Sequence, residues 1–134
     1  MFWRKKKGAK FISGDKNGRG TLDLADGSKY VGELKEGIAE GEGTLTFTDG
    51  RKYFGHWKQG RPHGQKSVLT FPDGRKYVGE YVNGSRQGRG TMFFTNGEKY
   101  EGEWKNDLPN GKGRIIQADG NVENGVWKKG IKVE

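Results

Sequence analysis

The sequence predicts an all-β protein, an elongated and twisted single-layer antiparallel meander built as a solenoid of β-hairpin repeats. Three observations support this prediction. A phrase of 23 residues recurs along almost the whole chain, large apolar residues alternate with polar ones inside each phrase, and an Asp-Gly or Asn-Gly pair closes each phrase. A fixed period of this length is typical of stacked repeats, in which each unit contacts mainly its neighbours. Such arrays present extended surfaces, which favours a binding or scaffolding protein over an enzyme.

The repeats are counted from a recurring tyrosine. We interpret residues 1–134 as a single array with four full units, a degenerate unit before them and a partial unit after them. The full units are 30–52, 53–76, 77–99 and 100–122, preceded by 7–29 and followed by 123–134. The two end units have Lys7 and Glu123 where the others have the tyrosine. Polar replacements at the ends of an array are typical of capping repeats.

Within a repeat, position 1 is the tyrosine, position 3 is glycine and position 5 is large and apolar. The residues at position 5 are Leu34, Trp57, Tyr81 and Trp104. Alternation with a period of two predicts strands with one apolar face, about eleven in all. The opposite face is predicted to be suited to solvent, since it has Glu33, Lys35, Thr44, Thr46, His56 and Lys58.

The Asp-Gly pairs predict hairpin turns. A two-residue loop would place Tyr77 opposite Thr70, whereas a three-residue loop with a glycine bulge places it opposite Leu69. Only the second arrangement keeps every large apolar residue on one face of the sheet. The face pattern therefore favours the bulged three-residue turn.

The connection at the other end of each hairpin is predicted to span positions 7–11. Its left-handed residue stands at position 8, which is glycine in three full units and Asp107 in the last. Glycines at positions 3, 12 and 14 are predicted to share the aromatic face, because a missing side chain lets a ring lie flat on the backbone. The second unit has one extra residue between Gly64 and Ser67, which predicts a bulge there.

The pattern Tyr-x-Gly-x-Trp-x-x-Gly-x-x-x-Gly-x-Gly-Thr, followed by Asp-Gly, resembles the MORN repeat (membrane occupation and recognition nexus). The resemblance covers the four full units, and the two end units are in phase with them. It implies a twisted, elongated single-layer sheet, in agreement with the meander predicted above. It also implies two settings for function, because lipid-kinase and membrane-junction proteins carry similar arrays and such arrays often accompany other domains.

Composition sets limits on the environment. The chain has no cysteine, so a disulfide framework and a thiolate metal site are both excluded. No apolar run approaches the roughly 20 residues of a membrane-spanning helix. The first residues are charged and lack an apolar stretch, unlike a secretory signal. We therefore expect a cytoplasmic protein, with membrane association as an option.

No catalytic chemistry is predicted from the side chains. His56 falls on the polar face and His63 in a connection, so the two histidines do not converge on a metal. The four serines have no histidine and carboxylate framework around them. The expectation is a protein that is not an enzyme and that has no cofactor and no metal.

The first functional hypothesis is an adaptor that holds a protein partner in a groove on the aromatic face. Exposed apolar surface marks interaction sites, and rings separated by glycine gaps suit an extended peptide or a helix. The predicted groove residues are Tyr53, Trp57, Tyr77, Tyr81, Tyr100 and Trp104. Terminal strand edges could also add a second copy of the array, giving a homo-oligomer. The alternative is that the stripe is entirely core and the array only a spacer.

The second hypothesis is a peripheral membrane module for anionic phospholipids. Residues 1–20 contain seven of the 25 basic side chains and one acidic side chain, whereas the rest of the array is nearly neutral. Interfacial aromatics beside a basic cluster suit an anionic membrane, at about 1 kcal/mol per basic residue. The predicted lipid-binding residues are Phe2, Trp3, Arg4, Lys5, Lys6 and Lys7. The alternative is a solvated tail that only aids solubility.

The sequence bears on two further interpretations. Aromatic residues mixed with basic ones suggest single-stranded nucleic acid, but the near-neutral array and the packing role of the aromatics argue against it. The chain could also be the repeat portion of a larger multidomain protein.

Overall fold

The computed structural model describes residues 9–134, and every regular element within them is a strand. They form one open antiparallel sheet of 13 strands. The strands are β1 (Lys10–Gly14), β2 (Arg19–Asp23), β3 (Lys29–Lys35), β4 (Ile38–Thr46), β5 (Lys52–Lys58), β6 (Arg61–Pro62), β7 (Gly64–Thr70), β8 (Lys76–Val82), β9 (Ser85–Phe93), β10 (Lys99–Lys105), β11 (Leu108–Ile116), β12 (Val122–Lys128) and β13 (Ile131–Lys132).

Strands that follow one another in the chain are neighbours in the sheet, with one exception. The two-residue strand β6 pairs with β5 and lies off the main path, because the second repeat interrupts what is one continuous strand in the other units. The predicted all-β meander is confirmed. The strand number exceeds the expected eleven because β6 and β13 are pieces of two residues each.

The Asp-Gly turns are three-residue loops closed by a glycine bulge, as predicted. The N–H of Phe47 donates to the carbonyl oxygen of Arg51 at 2.9 Å, and the N–H of Gly50 donates to that of Phe47 at 3.0 Å. Gly50 has φ +95°, a conformation that costs glycine little. The predicted register is also observed, since Tyr77 pairs with Leu69.

The opposite connections are shorter than predicted. Lys35 pairs with Ile38, so the turn consists of Glu36 and Gly37 alone, with φ values of +51° and +78°. Two successive positive φ values define a type I′ turn, whose twist matches that of the flanking strands. The prediction of a connection over positions 7–11 is therefore wrong. Asp107, at φ +72°, is left-handed as expected.

The glycines have two different roles. At positions 3 and 14 they make room for rings as predicted: a Cβ on Gly43 would run into the ring of Tyr30. The position 12 glycines were wrongly assigned to that face. Gly41 has φ +87° at a bulge, and a Cβ there would meet the carboxylate of Glu33 on the opposite face. Position 12 thus needs glycine for its backbone conformation and for the close carboxylate.

The extra residue of the second repeat forms the predicted bulge. The register of β7 against β8 shifts between Gly64 and Ser67. Ser67 stands where the other repeats have the position 14 glycine. Its hydroxyl is 2.8 Å from the hydroxyl of Tyr53, so a buried hydrogen bond replaces the ring-over-glycine contact at this point.

Candidate functional site

The apolar face contains a continuous ladder of aromatic rings. Each ring at position 5 of a full repeat packs edge-on against the tyrosine of its own repeat and against the tyrosine of the preceding one, and Trp127 of the end unit packs against Tyr100 alone. The rings in order are Tyr30, Trp57, Tyr53, Tyr81, Tyr77, Trp104, Tyr100 and Trp127. Their centroids are 4.9–5.6 Å apart and their planes cross at 73–83°. This edge-to-face geometry is favourable for aromatic quadrupoles.

The polar atoms of the ladder bind the backbone. The hydroxyl of Tyr53 donates to the carbonyl oxygen of His56 at 2.8 Å, and the other three position 1 tyrosines repeat this bond three residues ahead. The indole N–H groups of Trp57 and Trp104 each donate at 3.0 Å to a glycine carbonyl of the preceding repeat. A buried ring with its polar atom satisfied is a stabilising core element.

The six predicted groove residues all belong to this ladder. The structure brings them together, and none has more than 5% of its surface exposed. They are Tyr53, Trp57, Tyr77, Tyr81, Tyr100 and Trp104. Partner contact by these rings stays a prediction. Their burial means that a partner on this face would touch mainly the residues around them.

The tyrosine hydroxyls lie in a poorly solvated environment. Burial raises the pKa of Tyr53 to about 12, partly offset by its hydrogen bond with Ser67. Burial also raises the pKa values of Tyr30, Tyr77 and Tyr81 above their ordinary value. The cause in each case is that the phenolate form would lose hydration. The tyrosine hydroxyls of the ladder are thus buried in the core, which suits a structural role.

One cation interrupts the apolar edge of the ladder. Arg86 stands at position 10, where the other full repeats have Ala39, Pro62 and Pro109. Its guanidinium carbon is 5.6 Å from the ring centroid of Tyr77 and 5.3 Å from that of Trp104. The Asp107 carboxylate accepts from the Arg86 backbone N–H at 2.9 Å and lies 3.4 Å from its Nε. The unusual aspartate at position 8 therefore accompanies the unusual arginine.

The opposite face of the sheet, here called the outer face, is less polar than predicted. Position 2 of the repeats forms a central row across the strands, together with the residues paired to it. In order the row is Thr21, Val31, Thr44, Phe54, Val68, Val78, Thr91, Glu101, Arg114 and Asn124. Phe54 is 53% exposed and Val31 is 46% exposed. We call the segment from Val31 to Val78 the apolar row.

Sequence reasoning missed the apolar row. The prediction for this face relied on the residues at positions 4 and 6 and on the threonines, and position 2 was left out. The signal was present, because position 2 is Val31, Phe54 and Val78 in three successive repeats. Val31 and Phe54 are exposed, and Val68 and Val78 are half-buried, so the row forms a partly exposed apolar strip of the kind that can mark an interaction site.

A lysine row runs beside the apolar row. Each full repeat has lysine immediately before its tyrosine, and these residues alternate across the strands with Thr46, Thr70 and Phe93. The lysines are Lys29, Lys52, Lys76 and Lys99. The two at the ends form ion pairs, with Asp23 at 3.4 Å and with Glu101 at 3.9 Å. Among the described residues none forms an ion pair with Lys52 or Lys76.

Carboxylates lie on the other side of the apolar row. Glu33 and Glu80 occupy position 4, and each accepts a backbone N–H of the next strand, at 3.1 and 2.8 Å. Glu42 is paired in register with His56, and its carboxylate is 3.7 Å from the imidazole Nε2. Over these strands the outer face has the lysine row on one side, the apolar row in the middle and these glutamates on the other, here called the acidic side. Lys35 and Lys58 lie beyond the acidic side, at the ends of β3 and β5.

The two histidines remain apart. The Nδ1 atom of His63 accepts the backbone N–H of Asn83 at 3.3 Å, which links the second repeat to the third. His56 lies on the outer face. Within residues 9–134 no group of three or more potential metal ligands comes together. The same part of the chain has no helix with the length and hydrophobicity needed to cross a membrane.

The residues predicted to bind lipid lie outside the described part of the chain. They are Phe2, Trp3, Arg4, Lys5, Lys6 and Lys7.

Comparison with known proteins adds one finding. A family model described as MORN repeat matches residues 10–29, 30–50, 53–65, 77–99 and 100–122. Four of these five matches begin at a position 1 tyrosine, namely Tyr30, Tyr53, Tyr77 and Tyr100. The family model therefore has the same repeat phase as the one counted from the sequence. No curated protein matches the chain significantly.

Proposed function

The chain belongs to the MORN-repeat family, and from this premise we propose that it is a non-catalytic scaffold that holds a protein partner on its sheet. MORN repeats are generally interaction modules, and the sheet offers two extended faces. The partner, the contact face and a cytoplasmic setting are all parts of the proposal. The absence of cysteine is consistent with that setting.

The observation that carries the proposal is the exposed apolar row. Phe54 presents 53% of its surface to solvent although the aromatic ladder already supplies the fold with a core. The row lies on paired strands, so its side chains are held at fixed spacings before a partner binds. A preformed surface binds with a smaller loss of conformational entropy. An array that acted only as a spacer would not need an apolar row on its outer face.

Photocrosslinking tests the proposal and identifies the face. A photoreactive phenylalanine analogue replaces Phe54 on the outer face or Phe94, which is 39% exposed on the ladder side. The exposed turn residue Thr48 is the control position. In an extract of the source cells we expect a discrete protein adduct from position 54 or 94 and none from position 48.

The outcomes separate the two faces. An adduct from position 94 supports a partner on the ladder face, as the groove hypothesis requires, and an adduct from position 54 supports the outer face. Equal, diffuse labelling from all three positions would contradict a specific protein partner and leave the array a spacer.

A further inference from the structure

We propose that the outer face binds an amphipathic α-helix of a partner protein, laid across the strands with an acidic flank along the lysine row. This inference rests on the proposed function, because it takes the partner to be a protein. It adds the surface, the secondary structure of the partner and the charge pattern that the partner presents.

The apolar row is long enough for several turns of helix. Val31 and Val78 are separated by four strand spacings, through Thr44, Phe54 and Val68. Neighbouring strands lie about 4.8 Å apart, so the row spans about 19 Å. A helix rises 1.5 Å per residue, and about 13 residues cover this length.

The charges repeat with a period that suits a helix. The lysines recur on every second strand, which is about 9.6 Å. Two turns of a helix, or seven residues, advance about 10.5 Å. Acidic residues placed every seven residues on one flank would therefore meet Lys29, Lys52 and Lys76 in turn. Lys29 is already paired with Asp23, whereas Lys52 and Lys76 are exposed and form no ion pair with a described residue. The Lys76 ammonium lies 5.1 Å from the ring centroid of Phe93, and a partner carboxylate can approach it from the solvent side.

The width of the face also suits a helix. Lys52, Phe54 and His56 are successive outward residues of β5, so the lysine row and the acidic side are about 13 Å apart. A helix with its side chains is about 10–12 Å in diameter. Its apolar stripe can rest on Phe54 while one flank reaches the lysines and the other reaches Glu33 and Glu42.

The acidic side argues against a lipid surface on this face. A flat anionic membrane that met Lys52 and Lys76 would also approach Glu33, Glu42 and Glu80, and these carboxylates would offset part of its attraction to the lysines, including Lys35 and Lys58 beyond them. A helix avoids this conflict because its two flanks can have opposite charges. The charge pattern of the outer face therefore favours a helix with one acidic and one basic flank.

Binding of designed helical peptides to the full chain tests the proposal. The matched peptide has three heptads, an apolar stripe, glutamates on one flank and lysines on the other. The control peptide has the same stripe and lysines on both flanks. Fluorescence anisotropy should show binding of the matched peptide roughly tenfold tighter than that of the control. Phe54→Asp should abolish binding of both peptides.

Charge reversal on the protein provides the sharper test. We expect Lys52→Glu with Lys76→Glu to weaken the matched peptide at least about tenfold and to strengthen the all-lysine control peptide. Lys35→Glu with Lys58→Glu is the matched control variant, because it changes the net charge equally at exposed lysines outside the lysine row. That variant should leave the preference unchanged.

Three results would overturn the proposal. The first is equal binding of the two peptides, and the second is equal loss in both charge-reversed variants. The third is that the chain binds phosphatidylserine vesicles but neither peptide, and that Phe54→Asp removes the vesicle binding. This result would assign the outer face to a membrane. If neither peptide binds but crosslinking from position 54 or 94 still captures one protein, the scaffold function is supported and only the helix proposal is rejected.

Discussion

The indole N–H of Trp57 donates a 3.0 Å hydrogen bond to the carbonyl oxygen of Gly43, which belongs to the preceding repeat. The same ring lies edge-on to Tyr30 and to Tyr53, on the two sides of the repeat boundary. One side chain therefore joins two units by both packing and hydrogen bonding.

Replacing this tryptophan separates the two contributions. Trp57→Phe retains most of the ring contact and loses the hydrogen bond, so we expect a loss of about 1–2 kcal/mol in unfolding free energy. Trp57→Ala also leaves a cavity and should cost about 3–5 kcal/mol. Urea denaturation followed by circular dichroism measures both. Equal losses for the two variants would mean that the hydrogen bond, and not the packing, dominates.

A methyl group at a position 14 glycine should be severely destabilising. A Cβ on Gly43 would run into the ring of Tyr30, which is held by its own hydrogen bond to the Glu33 carbonyl oxygen. Gly120 is the matched control, because a Cβ there meets nothing within 4 Å although its φ of +92° strains an alanine.

We expect Gly120→Ala to lower the unfolding free energy by about 1–2 kcal/mol, the cost of a left-handed alanine. Gly43→Ala should cost clearly more, because ring displacement is added to any backbone effect. Thermal melts of the two variants provide the comparison. A similar melting temperature for both would show that the ring can move aside at little cost.

Arg86 and Asp107 should be energetically coupled. Asp107→Gly relieves a left-handed non-glycine residue but removes the acceptor of the Arg86 backbone N–H and side chain. In the natural chain we expect these effects nearly to cancel. In an Arg86→Ala background the side-chain contact is already lost, so the same glycine substitution should stabilise by about 0.5–1 kcal/mol.

A double-mutant cycle in urea measures this coupling. Additive effects of the two substitutions would indicate that the pair contributes only through its separate contacts with the ladder and the backbone.

Alkaline pH should unfold the sheet through its tyrosines. Burial holds the pKa of Tyr53 at about 12 in the folded chain, against an ordinary value of 10.0. The folded state therefore favours the neutral phenol. This stabilising contribution is complete below pH 10 and is lost as the pH rises through about 12, because the unfolded chain gains free energy by ionising first.

Absorbance of tyrosinate against pH tests this prediction. We expect little ionisation near pH 10 and a steep rise that coincides with loss of the circular dichroism signal. A gradual titration centred near pH 10 with the fold intact would show that the hydroxyls are in contact with water.

The sequence predicted most of the fold because the physical constraints are local and repeated. The large apolar residues share one face of the sheet only if Tyr77 pairs with Leu69, and this pairing requires the bulged turn. The type I′ turns were missed because residues such as Glu36 are not typical left-handed residues, and their conformation depends on the hairpin around them.

The site was harder to predict, since burial depends on contacts between repeats. Side chains such as Trp57 suit a binding groove and a core equally well, and only the distances to both neighbouring tyrosines place it in the core. The exposed Phe54 presents the opposite difficulty. Its outward neighbours along β5 are polar on both sides, so the pattern around it is typical of a solvent-facing surface and gives no sign of an apolar row.

The ladder also has a consequence for dissecting the chain. Trp104 contacts the ring of Tyr77 in the preceding repeat at 5.0 Å as well as the ring of Tyr100 in its own repeat at 5.5 Å. A cut at the boundary between two sequence repeats therefore divides a ring contact. A fragment cut at the Asn96-Gly97 turn would expose the ring of Tyr77, whereas one that ends after β11 keeps Trp104 covering it. The ends of a minimal fragment should therefore be chosen so that each ring keeps its neighbouring ring, and not at the boundaries of the sequence repeat.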